Sequence, residues 1–166
     1  MTAAFEELIH LLDEREIGYA TGDEEVVRTD LRGEVASYRI VARVEVEADL
    51  FQVFGYSPVR IPEGCRPAIA EAVARANYGL RLGKFELDLD EGELRFQATQ
   101  ILIGESVGEE VIGRMISTTL NMLDMYLPAF LSVIYANELP KDAIGRVEAV
   151  FCGIRETEGE SQESDE

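Results

Sequence analysis

The sequence predicts an α+β fold: an antiparallel β-sheet of about five strands with helices packed on one face, in the order α-β-β-β-α-β-β-α. Three observations carry this. From Glu34 to Glu47, Tyr38, Ile40, Ala42, Val44 and Val46 alternate with Ser37, Arg39, Arg43, Glu45 and Glu47, the two-residue period of a strand with one dry and one wet face. From Lys84 to Ile103, two apolar-rich runs flank Asp90–Glu93, a loop of hairpin length and composition. Helical periodicity then runs from about Ser106 to Glu138, and no strand-helix-strand repeat marks a parallel sheet.

The elements follow in order. Thr2 to about Glu16 is an amphipathic helix, with Phe5, Leu8, Ile9 and Leu12 at helical spacing, ended by Gly18. Glu25–Leu31 reads as a short strand closed by a turn at Arg32-Gly33, the alternating segment is the second, and Leu50–Phe54 the third. Gly55, Pro58, Pro62, Gly64 and Pro67 then take the chain out of the sheet. Pro67 suits a first helical turn, and Ala68–Tyr78 presents Ile69, Val73 and Ala76 on one face before Gly79. After the hairpin, Ser106 and Glu109 have the spacing of a capping box at the start of the last helix. Pro128 inside that helix removes one backbone bond, which predicts a kink, and Leu139-Pro140 ends it. Ala143–Ile154 fits a short helix or a strand.

The 166 residues carry 33 acids against 15 bases, a net charge of −18. This excludes ordinary nucleic-acid binding, which draws its affinity from cations that neutralise phosphates. With 46% hydrophobic residues the chain can bury a core, so one domain is expected over residues 1–154. Residues 155–166, with six acids, one base and no apolar residue, are expected to be a disordered acidic tail. Met115–Asn137 is long enough to cross a bilayer. However, Ser117, Thr118, Thr119, Asn121 and Asp124 line one side of it and its flanks lack Lys and Arg, so a buried helix is the better reading. The acidic N-terminus is not an export signal. Cys65 and Cys152 match neither a redox pair nor a zinc spacing and are expected to be free thiols in a cytoplasmic protein.

The candidate sites are few. Glu86, Asp88 and Asp90 alternate on one strand face and could raise a pKa or hold a divalent cation. A solvated face paired with Arg39 or Arg43 explains them more simply. Asp88–Gly92 resembles a calcium loop, but its glycine comes one place early and Thr99 stands at position 12. His10 has no second histidine or nucleophile beside it, and no phosphate-binding glycine motif is present. The long helix is the most informative element. Ile112, Ile116, Leu120, Leu123, Leu127, Phe130 and Ile134 form a stripe for the sheet, and Met115, Met122, Tyr126, Ala129 and Val133 form a second stripe beside it. That apolar arc is wider than the roughly 100° one contact needs. Either the first helix covers the surplus, or Met115, Met122, Tyr126 and Val133 meet a partner, their methionines adapting to it.

The run from Ala76 to Phe96 resembles the YbjN family, described as bacterial sensory transduction regulators, which shares its fold with type III secretion chaperones. In that family a helix ending in Asn leads to Gly-x-Phe, an acidic hairpin turn and a long apolar helix; here Asn77, Gly83, Phe85 and Gly92 fall in those places. The resemblance covers about residues 5–138. It implies a small cytoplasmic regulator or chaperone-like module, often dimeric, with no cofactor and no catalytic residues to carry over. The expected function is therefore non-enzymatic binding of a protein segment, with the negative surface favouring basic partners. The alternatives are an enzyme or small-ligand carrier using Glu86, Asp88 or Tyr126 in a helix–sheet pocket, or a structural subunit of an assembly.

Overall fold

The computed structural model describes residues 1–162, and side chains through Cys152. The elements are α1 (Ala3–Glu14), β1 (Ala20–Gly22), β2 (Val26–Arg32), β3 (Ser37–Glu45), β4 (Leu50–Tyr56), α2 (Arg66–Asn77), β5 (Lys84–Leu87), β6 (Leu94–Ile101), α3 (Glu109–Tyr135) and α4 (Pro140–Gln162). The strands form one antiparallel sheet in the order β1-β2-β3-β4-β6-β5. There are thus six strands rather than about five. The strand missing from the sequence reading, β1, is three residues long and too short to alternate. Its pairing with β2, Ala20 opposite Arg28 and Gly22 opposite Val26, is what makes it a strand.

The alternation seen in β3 sets the layers. Tyr38, Ile40, Ala42 and Val44 are buried on the helical side, joined across the sheet by Val53 and Phe51 of β4 and by Phe96 and Ala98 of β6. A Cβ built on Gly55 would lie 2.5 Å from Leu123 and 2.6 Å from Thr119, so α3 lies directly on β4. Of the first stripe of α3, Ile112, Ile116, Leu123, Leu127 and Phe130 are buried. Each such side chain contributes about 2 kcal/mol by leaving water. Helix α3 runs unbroken through Pro128.

The capping box at Ser106 and Glu109 does not form. Helix α3 begins after Gly108, which has no side-chain cap, and the segment leading into it is held by another helix. Glu7 of α1 accepts from the Ser106 hydroxyl, from Val107 N–H at 3.1 Å and from Gly108 N–H at 2.8 Å. A carboxylate at a helix start also meets the positive end of the helix dipole. Burial pushes the Glu7 carboxyl up, but the bonds from Ser106, Gly108 and Val107 outweigh it and hold the group below its usual 4.5. A group depressed in the folded state stabilises above its unfolded pKa and loses that contribution as pH falls through the folded one. Glu7→Ala is therefore expected to cost about 2 kcal/mol at pH 7, from three charge-assisted hydrogen bonds partly replaced by water. The deficit should shrink steadily below pH 4.5; urea unfolding at pH 7, 5 and 3 checks this, and a deficit constant with pH would contradict the assignment.

The segment that fits either a helix or a strand, Ala143–Ile154, lies within α4, whose Ala143 and Ile144 are buried. The expectation of a disordered tail falls, for side chains beyond Cys152 and for residues 163–166, outside the described residues.

Candidate partner-binding surfaces

The second stripe of α3 is covered mostly by the chain itself. Met115, Tyr126, Ala129 and Val133 are buried, and Met122 is half-buried. Helix α1 lies along the first half of α3, where His10 meets Glu109 at 2.9 Å and Arg15 lies beside Gly113. Helix α4 covers the second half. The Tyr126 hydroxyl donates to Glu148 at 2.9 Å, and its ring packs edge-on to Phe85 at 5.3 Å. Burial first, then the bond and charge of Glu148, push the Tyr126 phenol above its usual 10.0. Met115, Tyr126 and Val133 are thus engaged inside the molecule, while Met122, half-buried, reaches a groove and Tyr126 shows part of its surface in the same one. The covering element is α4, which contains the segment that the sequence leaves open between helix and strand because its periodicity is weak.

Met122 and Met125 lie between two adjoining grooves. One, of about 530 Å³, is completed by Val35, Val147, Val150 and Phe151. The other, of about 270 Å³, is completed by Leu80, Tyr78 and Tyr126. Tyr78, at the rim, is 90% exposed.

A third groove, of about 760 Å³, lies between α1 and β1. Met1, Phe5, Ile9 and Tyr19 give it an apolar lining, while Glu6, Asp13 and Glu25 make it acidic. β1 runs along it as an outermost strand. The opposite edge of the sheet is closed. In β5, Phe85 N–H donates to the Asn77 side-chain oxygen at 2.7 Å, and the Asn77 amide donates to Phe85 C=O at 2.9 Å. One side chain thus satisfies the backbone groups that an added strand would use.

The remaining candidates resolve into structural roles. Glu86 is paired with Arg95 at 2.6 Å and Lys84 at 3.1 Å, not with Arg39 or Arg43. Burial raises its carboxyl, but Arg95 and Lys84 outweigh that and hold it below 4.5, the wrong direction for a general acid. Asp88 caps the hairpin turn, accepting from the N–H groups of Asp90 at 2.8 Å and Glu91 at 2.9 Å. The three carboxylates therefore do not converge on a cation. His10, Glu14 and Glu109 do approach one another, one ligand atom of each lying within 4.8 Å of the others. An imidazole with two carboxylates can hold a cation, but the direct contact of His10 with Glu109 at 2.9 Å accounts for their approach without one. Cys65 and Cys152 are both free. No described helix is long and apolar enough to cross a membrane.

The motif residues of the Ala76–Phe96 run act structurally. Asn77 clasps β5, and Phe85 packs edge-on to Phe96, Tyr126 and Phe130 at 5.0–5.3 Å. Gly92 has φ +75°, and a Cβ there would lie 2.3 Å from the carbonyl of Ile61, so the turn requires glycine.

This arrangement defines a class: an α+β domain of one antiparallel sheet with a helical layer, offering open grooves and one open strand edge. The chain belongs to the YbjN family, “Putative bacterial sensory transduction regulator”, whose profile matches residues 4–132. The crystal structure of YbjN, titled “a putative transcription regulator from E. coli”, has a similar fold, with a TM-score of 0.57 at 11% identity over 75% of this chain and 89% of that one. A structure of the HopA1-SchA chaperone-effector complex aligns with a TM-score of 0.48 at 13% identity, over 72% of this chain and 91% of that one. No curated protein matches the chain.

Proposed function

We propose that this protein is a non-enzymatic, chaperone-like or regulatory module of the cytoplasm that works as a homodimer and holds a basic segment of a partner protein. The observation that carries the reading is the groove between α1 and β1, with its apolar lining, its acids Glu6, Asp13 and Glu25, and a strand edge alongside. A segment of alternating apolar and basic residues would extend the sheet at β1, set apolar side chains against Ile9 and Tyr19, and place cations at the acids. The charge of −18 steers such a segment toward the surface. The surface around Met122 and Met125, with Val150 and Phe151, is the proposed dimer contact. Met122, Met125, Val147, Val150 and Phe151 give it an apolar centre, and it carries fewer acids than the groove between α1 and β1. The engaged states of Glu86, Asp88 and Tyr126 support the non-enzymatic reading.

A labelled peptide alternating Lys and Val tests it by fluorescence anisotropy, alongside light scattering for solution mass. Glu6→Lys with Asp13→Lys should weaken binding about tenfold or more, in line with two lost charge contacts. Met122→Glu should halve the solution mass and leave peptide binding intact. A charge-reversed variant that binds as tightly as the parent overturns the groove assignment, and a monomeric parent overturns the dimer.

A further inference from the structure

We infer that the face of the sheet turned away from the helices is a second docking surface, and that its occupant is a carboxylate-rich, extended segment of a partner protein. The register puts Arg28 and Arg32 of β2, Arg39 and Arg43 of β3, Lys84 of β5 and Arg95 of β6 on this face. Asp30, Glu45 and Glu86 are the acids among them. At the strand positions six cations thus stand against three carboxylates, in a chain whose net charge is −18.

The pairing pattern sharpens the point. Glu45 and Glu86 engage Arg43, Lys84 and Arg95. Among the described residues, Arg28, Arg32 and Arg39 have no carboxylate within ion-pairing distance, even though acids outnumber bases by more than two to one. Asp30 stands across the strands from Arg39 and makes no ion pair with it. An acidic chain that leaves three neighbouring guanidiniums unmatched on one face has kept them available for carboxylates from elsewhere.

The face is also prepared for planar recognition. The Arg39 guanidinium lies 4.4 Å from the Tyr56 ring centre, and those of Arg43 and Arg95 lie 5.2 and 4.7 Å from that of Phe54. Phe54 is 5% exposed yet stands outside the hydrophobic core, with arginines over its ring. Arg43 and Arg95 already direct their Nε groups to Gln52 and Glu86; at Arg39, stacking orients the guanidinium and leaves its edge N–H groups for bidentate contact with a carboxylate. Beside Arg39 and Tyr56 the surface dips into a groove of about 390 Å³ that Arg60 lines together with the acids Asp30 and Glu93.

The spacing selects an extended segment. Arg28 and Arg32 are four residues apart on one strand, about 13 Å, so an extended segment carrying an acid at every second position brings carboxylates to both. A small local excess of positive charge suits a few carboxylates. A polyphosphate chain would meet the repulsion of the whole acidic molecule.

The test uses the full chain and a fluorescein-labelled twelve-residue peptide alternating Glu and Thr, read by fluorescence anisotropy. The parent should bind it, more weakly as salt rises from 50 to 300 mM. Arg39→Gln and Arg28→Gln should each weaken binding about tenfold, the loss of one charge-assisted contact. Arg28, exposed and unstacked, gives the variant in which folding is not at issue. The α1–β1 groove variant should bind the acidic peptide as the parent does, which separates this surface from the basic-segment groove. The inference is overturned if the arginine variants bind like the parent, if an uncharged Gln–Thr peptide binds equally well, or if no binding is seen up to millimolar peptide. It is also overturned if oligouridylate RNA binds more tightly with the same arginine dependence, which would make the face a nucleic-acid surface.

Discussion

Replacing Asp124 with Ala is expected to cost about 3 kcal/mol of stability, because this carboxylate joins α3 to the turn between β2 and β3. Its Oδ2 accepts from Glu34 N–H at 2.7 Å, and its Oδ1 from Val35 N–H at 3.1 Å and from the Tyr38 hydroxyl at 2.7 Å. Glu34 and Val35 are exposed, so water can replace the lost acceptor there. Tyr38 is 0% exposed, and a buried hydroxyl without a partner costs about 1–3 kcal/mol by itself. Asp124→Asn keeps one acceptor oxygen for Tyr38 and should cost about half as much. Gly33→Ala should resemble Asp124→Ala, since a Cβ at Gly33 would lie 2.2 Å from the same carboxylate. Denaturant unfolding at pH 7 measures all three; an Asp124→Ala protein within about 0.5 kcal/mol of the parent, the level of an ordinary surface change, would refute the account. Burial first, then the bond and charge of Asp124, push the Tyr38 phenol above its usual 10.0. The folded state therefore holds that proton more tightly than the unfolded one, and stability falls as pH rises past 10. In Asp124→Ala that alkaline fall should be shallower.

Phe85→Ala should cost about 4 kcal/mol, the range for removing a large ring from a packed core. The ring packs edge-on to Phe96, Tyr126 and Phe130, so one substitution loosens β5, β6 and α3 together. Asn77→Ala attacks the same strand through its backbone and should cost about 2 kcal/mol, leaving an N–H and a C=O of Phe85 without partners. Asn77→Asp should be at least as harmful, because it sets an oxygen against the Phe85 carbonyl. Unlike Phe85→Ala, the Asn77 variants also uncover a strand edge, and so should increase strand-mediated self-association. Denaturation midpoints and light scattering separate the two effects; a stable, monodisperse Asn77→Ala protein would show that the clasp is dispensable.

Most of the fold was legible because its signals are local. The alternation in β3, the hairpin around Asp90–Glu93 and the first stripe of α3 are periods within single segments, and each matches the burial observed except where the elements end, at exposed Val46, Leu89, Ile101 and Ile103, and at half-buried Leu120 and Ile134. The candidate site was less legible. Met122 and Tyr126 belong to one helical stripe by spacing, but whether they face solvent depends on α4, which arrives from farther along the chain. The arginine-bearing sheet face was open to inspection in part: Arg39 and Arg43 alternate visibly in one strand. Their grouping with Arg28, Arg32 and Arg95 required the strand order and register.

What the sequence by itself determined is therefore the class of fold, the inward faces of the strands and long helix, and the Asn77–Gly92 motif. Hydrophobic period and turn chemistry act over a few neighbouring residues and need no distant partner. What only the tertiary structure decided is the role of each polar side chain. Ser106 has the spacing of a helix cap, yet Glu7, about a hundred residues away in sequence, holds that helix start. Asp124 sits on the polar side of its helix, yet closes a turn about ninety residues before it. A buried donor must find an acceptor, and the acceptor it finds is the one the packed chain brings within 3 Å, however far apart the two stand in sequence.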